Sequence, residues 1–146
     1  MRDHINANIK FREDFRPFAP AVLAADADEY FEGVTHSPYM ISVATVPEAL
    51  RKVIPAVVHR DGSARLQTVS QTDNKPFWLL LNHLKSLTGV PIALNTSLNR
   101  RGMPIVETPA QALSLLCETA LDALVLDGFV VRRVQPERQV QPPAAQ

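Results

Sequence analysis

The residues best suited to chemistry lie near the start, in Lys10-Phe11-Arg12-Glu13-Asp14-Phe15-Arg16-Pro17-Phe18-Ala19-Pro20. Three cations, two carboxylates, three phenylalanines and two prolines share eleven residues, a mixture foreign to an amphipathic helix. Pro17 and Pro20 fix φ and remove two amide donors, and Pro17 biases Arg16 toward extended geometry. The phenylalanines are expected to reach a core. Such a segment would be stiff and would present Lys10, Arg12 and Arg16 at defined places. Guanidinium forks and a compact ammonium suit an anion, phosphate foremost. The ordinary alternative is a solvated surface on which these cations pair with Glu13 and Asp14.

Two further segments could supply partners. In Ile54–Val69, two β-rich runs flank Arg60-Asp61-Gly62-Ser63, and Asp-Gly predicts a hairpin turn. In that register His59 faces Ala64 and Val58 faces Arg65, so Arg65 shares a largely apolar face and needs a partner or a ligand. The run Val90–Leu94 predicts a buried strand, followed at once by Asn95-Thr96-Ser97-Leu98-Asn99. Hydroxyls and amides at the carboxyl end of a strand are where α/β sheets place ligands.

The elements that position these residues are predicted to alternate. Phe18–Ala24 reads as a short buried strand with Pro20 at an edge or start. Ala25–Phe31 reads as a short helix ended by Gly33, His36-Ser37-Pro38 as a turn, and Tyr39–Val46 as an alternating strand. Pro76–Thr88 is predicted helical, with Phe77, Leu80, Leu81, Leu84 and Leu87 as its core stripe and Trp78 and His83 at the boundary. Thr108-Pro109-Ala110-Gln111 is a capping box opening a helix to Ala120, with the stripe Ala112, Leu113, Leu116, Cys117 and Ala120. Asp122–Leu126 and Phe129–Val134 are short strands joined at Asp127-Gly128. Two sizeable helices on a mixed sheet give the α/β (α+β) class.

Composition bounds the rest. The chain has 146 residues, 46% hydrophobic and 21% charged, as in a globular domain. Fifteen basic residues balance fifteen acidic ones, which makes nucleic acid an unlikely partner. The single cysteine, Cys117, excludes an internal disulfide and reads as a small core residue. Four scattered histidines without a cysteine pair make a metal site unexpected. No apolar run reaches the about 20 residues of a membrane span and no apolar signal region opens the chain, so the cytoplasm is the expected compartment. Gln135–Gln146 has the composition of a disordered tail.

Three long segments, Ile9–Leu23, His59–Val69 and Gly89–Val106, resemble in order the NodU/CmcH-type O-carbamoyltransferase family, in its carboxy-terminal YrdC-like domain. The likeness continues through Thr108–Leu113 and Asp122–Leu126, so it covers residues 2–134 and implies one YrdC-like domain over 1–134, a mixed twisted sheet carrying helices. It implies binding of carbamoyl phosphate and of ATP with Mg²⁺, and formation of carbamoyl adenylate for O-carbamoylation of a hydroxyl acceptor. In the family a preceding, larger ATPase-like domain passes the carbamoyl group to a hydroxyl of the acceptor and carries a histidine-based metal site. By motif position Lys10, Arg16 and Arg65 would be catalytic, and Asn95, Thr96 and Ser97 would complete the substrate site with them. Leu98 replaces the family's usual phenylalanine, a change expected to affect packing. The chain looks like a detached domain, so a separate ATPase-like partner or self-association is expected. A non-catalytic anion- or nucleotide-binding module is the alternative, and RNA binding a more distant one.

Overall fold

The computed structural model describes residues 1–134, and the expected tail lies outside them. Two compact units divide the chain, Met1–Ser97 and a second from Leu98 onward. The first is built on a mixed four-stranded sheet with helices packed on it, the expected class; its strands β1 (Ala19–Leu23), β2 (Ser42–Thr45), β3 (Ser63–Val69) and β4 (Ile92–Asn95) lie in the order β2-β3-β1-β4.

The central strand is β1, Ala19–Leu23, every residue of which is buried. It runs parallel to β3, Ser63–Val69, and antiparallel to β4, Ile92–Asn95. Pro20 therefore lies inside the sheet rather than at an edge. The parallel ladder starts one residue later, at Ala21 opposite Gln67, so the missing donor falls at the ladder's beginning. Strand β2, Ser42–Thr45, pairs antiparallel with β3 and forms one edge.

The hairpin expected over Ile54–Val69 is half formed. Only its second run becomes a strand. Ile54 and Val57 are buried in irregular turns and fill the core with Val22, Val46 and Leu66. The Asp-Gly turn itself exists: Gly62 has φ +85°, and Asp61 Oδ1 accepts from the Ser63 amide at 2.9 Å. Pro55 lacks the donor that a ladder in the first run would require, and the apolar side chains gain more from the core than from a paired surface.

Side chains alternate across the sheet. One face, with Val22, Ala44, Ala64 and Leu66, packs on Tyr30, Phe31, Val46 and Ile54. The other, with Ala21, Leu23, Val69 and Ala93, is covered by α3, Lys75–Thr88. Asn74 caps α3 by accepting from the Phe77 amide at 3.1 Å, and Gly89 ends it at φ +77°. Its buried stripe is Phe77, Trp78, Leu81 and Leu84, while Leu80 and Leu87 face solvent. The helix is thus rotated from the expected stripe, with Trp78 on the sheet side and Leu80 and Leu87 outside it. The short helix expected at Ala25–Phe31 is a 3₁₀ turn, Ala24–Asp26, followed by α2, Ala27–Tyr30.

In the second unit α4, Pro109–Glu118, opens on the expected capping box, with Thr108 and Gln111 satisfying each other's backbone donors. Ala112 and Leu116 pack with Leu124 against Leu98, Val106 and Val131. Leu98 is thus a packing residue, as its type implies. Cys117 and Leu113 are exposed, which corrects the core reading of both: the buried face runs through Ala112, Leu115 and Leu116. Strands β5, Leu124–Leu126, and β6, Phe129–Val131, pair across Asp127-Gly128 as expected. Among the described residues no helix is long and apolar enough to cross a membrane.

Candidate functional site

The opening stretch is entered from α1, Arg2–Ile5, which continues as a single π-helical turn, Asn6–Lys10. Turns of this kind are rare and concentrate at functional sites. The turn stops at Phe11, a non-glycine residue at φ +49°. A bulky side chain in the left-handed region carries strain that the surroundings must hold.

Asn6 does that holding. It is 1% exposed, and its amide donates to the carbonyls of Asp14, at 3.3 Å, and Arg16, at 3.2 Å. Its Oδ1 accepts from Arg12 Nε at 2.8 Å. The Arg12 guanidinium also lies 4.5 Å over the Phe18 ring. One buried asparagine thus shapes the whole loop. Sequence reasoning passed it over, because an asparagine in a polar leader carries no distinguishing pattern.

Of the phenylalanines only Phe18 enters the core. Phe11 and Phe15 are exposed, contrary to expectation. The loop is rigidified by polar bonds to Asn6 instead of by three aromatic anchors.

Lys10 is 3% exposed, and its ammonium donates to the Ser97 carbonyl oxygen and, at 3.2 Å, to the Ser97 hydroxyl. The structure therefore brings together two of the residues singled out from sequence, 87 positions apart. Burial pulls the Lys10 pKa down to about 8, and the neighbouring Arg12 charge pulls in the same direction. Burial also lowers Arg12, as does the Arg16 charge, while Glu13 opposes them. Lys10, Arg12 and Arg16 thus form a chain of mutually repelling cations, which an anion would relieve.

Arg16 is exposed and forms an ion pair with Glu13 at 3.2 Å. Arg65 is exposed, and its guanidinium makes no hydrogen bond or ion pair with any described residue. It stands on the α3 face of the sheet, two residues before Gln67. Asn95, the last residue of β4, donates to Gln67 Oε1. Asn95 lies opposite Ala19, and Gln67 opposite Ala21, so both amides and Arg65 occupy the end of this face left bare by α3. Thr96 is exposed between Asn95 and Ser97. Among the described residues no three His, Cys, Asp or Glu side chains cluster so as to hold a metal ion.

The buried Lys10 ammonium thus sits on Ser97 beyond the end of β4, with the Arg12 and Arg16 charges near it. The chain belongs to the carbamoyltransferase C-terminus family, whose match covers residues 1–133. It is 45% identical over 135 residues to nodulation protein NolO of Bradyrhizobium diazoefficiens, a match covering 90% of this chain and 25% of that protein. Nodulation protein NolNO of Sinorhizobium fredii is 44% identical over 135 residues, covering 90% of this chain and 20% of the relative. Nodulation protein U of the same species is 39% identical over 134 residues, covering 91% and 23%. The chain spans a quarter or less of the length of these relatives.

Proposed function

We propose that this domain binds carbamoyl phosphate and ATP and forms carbamoyl adenylate, for transfer of the carbamoyl group to a hydroxyl acceptor held by a separate ATPase-like domain. The observation that carries this reading is the buried Lys10 ammonium on Ser97, with Arg12 and Arg16 beside it. Water would take the phosphate of carbamoyl phosphate. A carbamate oxygen would then bond to the α-phosphorus of ATP as the bond to pyrophosphate breaks. Negative charge gathers on phosphoryl oxygens throughout, and preorganised cations in a dry pocket stabilise it without reorganisation. Lys10 would hold the carbamoyl phosphate oxygens, with Ser97 orienting the ammonium. Arg16, released from Glu13, and Arg65 would close on the phosphoryl groups, and Asn95 and Thr96 would line the site. Mg²⁺ would neutralise the nucleotide's phosphates and arrive with them.

The test is pyrophosphate release from ATP with carbamoyl phosphate present. Wild type is expected to release it, and Lys10→Ala and Arg65→Ala to lose at least about tenfold, since hydrogen bonds to charged groups contribute about 1.5–3 kcal/mol. Equal release by all three proteins would sink the proposal. A second reading keeps the anion site on Lys10 and Ser97 and makes turnover depend on an ATPase-like domain. Binding of both ligands by calorimetry without pyrophosphate release selects it.

A further inference from the structure

A small cavity of about 120 Å³ lies in the first unit, between the opening loop and the turn before β3, with Arg2, Asp14, Phe15, His59 and Arg60 among its walls. It shares no side chain with the Lys10–Ser97 site, nor does it include Arg16 or Arg65. Pockets for larger organic ligands start at about 300 Å³, so its size suits a small ion.

Both walls are held in place. Asn6 fixes the loop by donating to the Asp14 and Arg16 carbonyls. The opposite turn is closed by the His59 amide, which donates to the Ser63 carbonyl at 2.8 Å, and by the Gly62 amide, which donates to the His59 carbonyl at 3.0 Å.

The His59 ring is fixed as well, and so is the place of its proton. Asp61 Oδ1 accepts from the Ser63 amide at 2.9 Å and from the Ser63 hydroxyl at 2.7 Å. The hydroxyl bond, and after it the amide bond, holds the Asp61 carboxyl below its usual range. An ionised carboxylate only accepts, so Ser63 gives its one hydroxyl proton to Asp61. The Ser63 oxygen is then left to accept from His59 Nδ1, 3.0 Å away, and Nδ1 carries the hydrogen. In the neutral ring Nε2 therefore keeps a lone pair, and no described residue donates to it.

The other polar groups are also open to a ligand. The Arg60 guanidinium makes no hydrogen bond or ion pair with any described residue. Arg2 is engaged only through Nε, by Asp3 at 3.1 Å, so its terminal nitrogens keep their protons for a ligand. The Asp14 carboxylate accepts from no described side chain or amide. Two guanidiniums outweigh this one carboxylate, so the lining favours an anion. It does not favour every anion. A fully deprotonated one such as sulfate would satisfy the arginines but set oxygens against the Nε2 lone pair and Asp14. An oxyanion that keeps a hydroxyl meets both kinds of group.

We infer that this cavity binds a protonated oxyanion, hydrogen phosphate foremost, with its oxygens on Arg2 and Arg60 and its hydroxyl donating to His59 Nε2. The assignment does not depend on the proposed function. Under that function, the phosphate that water takes from carbamoyl phosphate is the same ion, and the cavity would hold a released product.

Inorganic phosphate is the probe and sulfate the comparison, titrated at pH 8 while the ring protons of the four histidines are followed by NMR. His59→Gln lacks one ring signal and so assigns the His59 resonance. Phosphate is expected to move that resonance in wild type, with sulfate needing at least about tenfold more, the size of one hydrogen bond to a charged group. Arg60→Ala should raise half-saturation by phosphate at least about tenfold. Arg60 is exposed and unbonded, so this variant is expected to fold. Lys10→Met should leave half-saturation within about twofold. A His59 signal that phosphate does not move, or moves no more readily than sulfate does, overturns the assignment. So does a response unchanged by Arg60→Ala or abolished by Lys10→Met, either of which puts the ion elsewhere. None of these failures bears on pyrophosphate release, so the proposed function stands or falls by its own test.

Discussion

Lys10 carries its charge at a cost. With a folded pKa of about 8 against 10.5 in the unfolded chain, it has lost its proton in the folded state across that window while the unfolded chain retains it. The unfolded state then binds more protons, so this group makes stability rise with pH between about 8 and 10.5. Below pH 8 both states are protonated and the desolvation cost is present in full. Lys10→Met should therefore flatten the rise, read from urea denaturation of variant and wild type between pH 7 and 10.5. Anion affinity should move the opposite way. Under the proposed function carbamoyl phosphate is held by the ammonium, so wild-type affinity is expected to fall as pH climbs above 8, while Lys10→Arg keeps its affinity there. A flat wild-type profile to pH 10 would show that Lys10 does not hold the anion. Arg65 and Ser97 were readable as residues of interest because a guanidinium on a strand and a hydroxyl after one are chemically out of place. Asn6 was not, since its role depends on loop carbonyls from Asp14 and Arg16 that no local pattern specifies.

At the scale of elements, local signals served well where the backbone itself sets the outcome. Gly89 ends α3, Thr108 and Gln111 start α4, and Asp127-Gly128 joins β5 to β6, all from residues that satisfy or permit specific backbone geometry. The run before β3 shows where this fails. Asp61-Gly62 dictated a turn correctly, but whether Ile54–Val58 pairs or packs depends on Val22, Val46 and Leu66, which are distant in sequence. The same dependence turned α3 so that Trp78 is packed and Leu80 exposed. Gly62 itself has two constraints, φ +85° and the Arg51 guanidinium standing where a β-carbon would go. Arg51 Nε in turn donates to the Val46 carbonyl at 3.0 Å. Gly62→Ala is expected to destabilise by about 1–3 kcal/mol, the range for strained backbone, measured by denaturant midpoint. A change under about 0.5 kcal/mol, the spread of ordinary surface substitutions, would show that Arg51 yields freely.

For the whole molecule, the class was legible and the division into units was not. Alternating strands and helices implied a mixed sheet, but a change of compact unit at Ser97–Leu98 falls inside a single motif, Asn95–Asn99, with no glycine or proline to mark it. All the residues placed here in ligand binding lie in the first unit. Trp78, the chain's single tryptophan, lies there too. Carbamoyl phosphate at about 100 times its dissociation constant should stabilise the folded site by about 2.7 kcal/mol. The thermal transition followed by Trp78 fluorescence is expected to move upward accordingly. No shift at saturating ligand would show that the first unit does not bind it.

The bond from Lys10 to Ser97 spans 87 positions, nearly the full length of the first unit. The cationic loop is synthesised before Ser97, yet its ammonium has no seat until the strand before Ser97 has added itself beside β1. Contacts of such separation are among the slowest to form, since loop closure must precede their reward. A chain still growing would hold all three cations of the loop and no working pocket. Under the proposed function, ligand capture would become possible only when synthesis of the unit ends, so substrate uptake would double as a report that the sheet has closed.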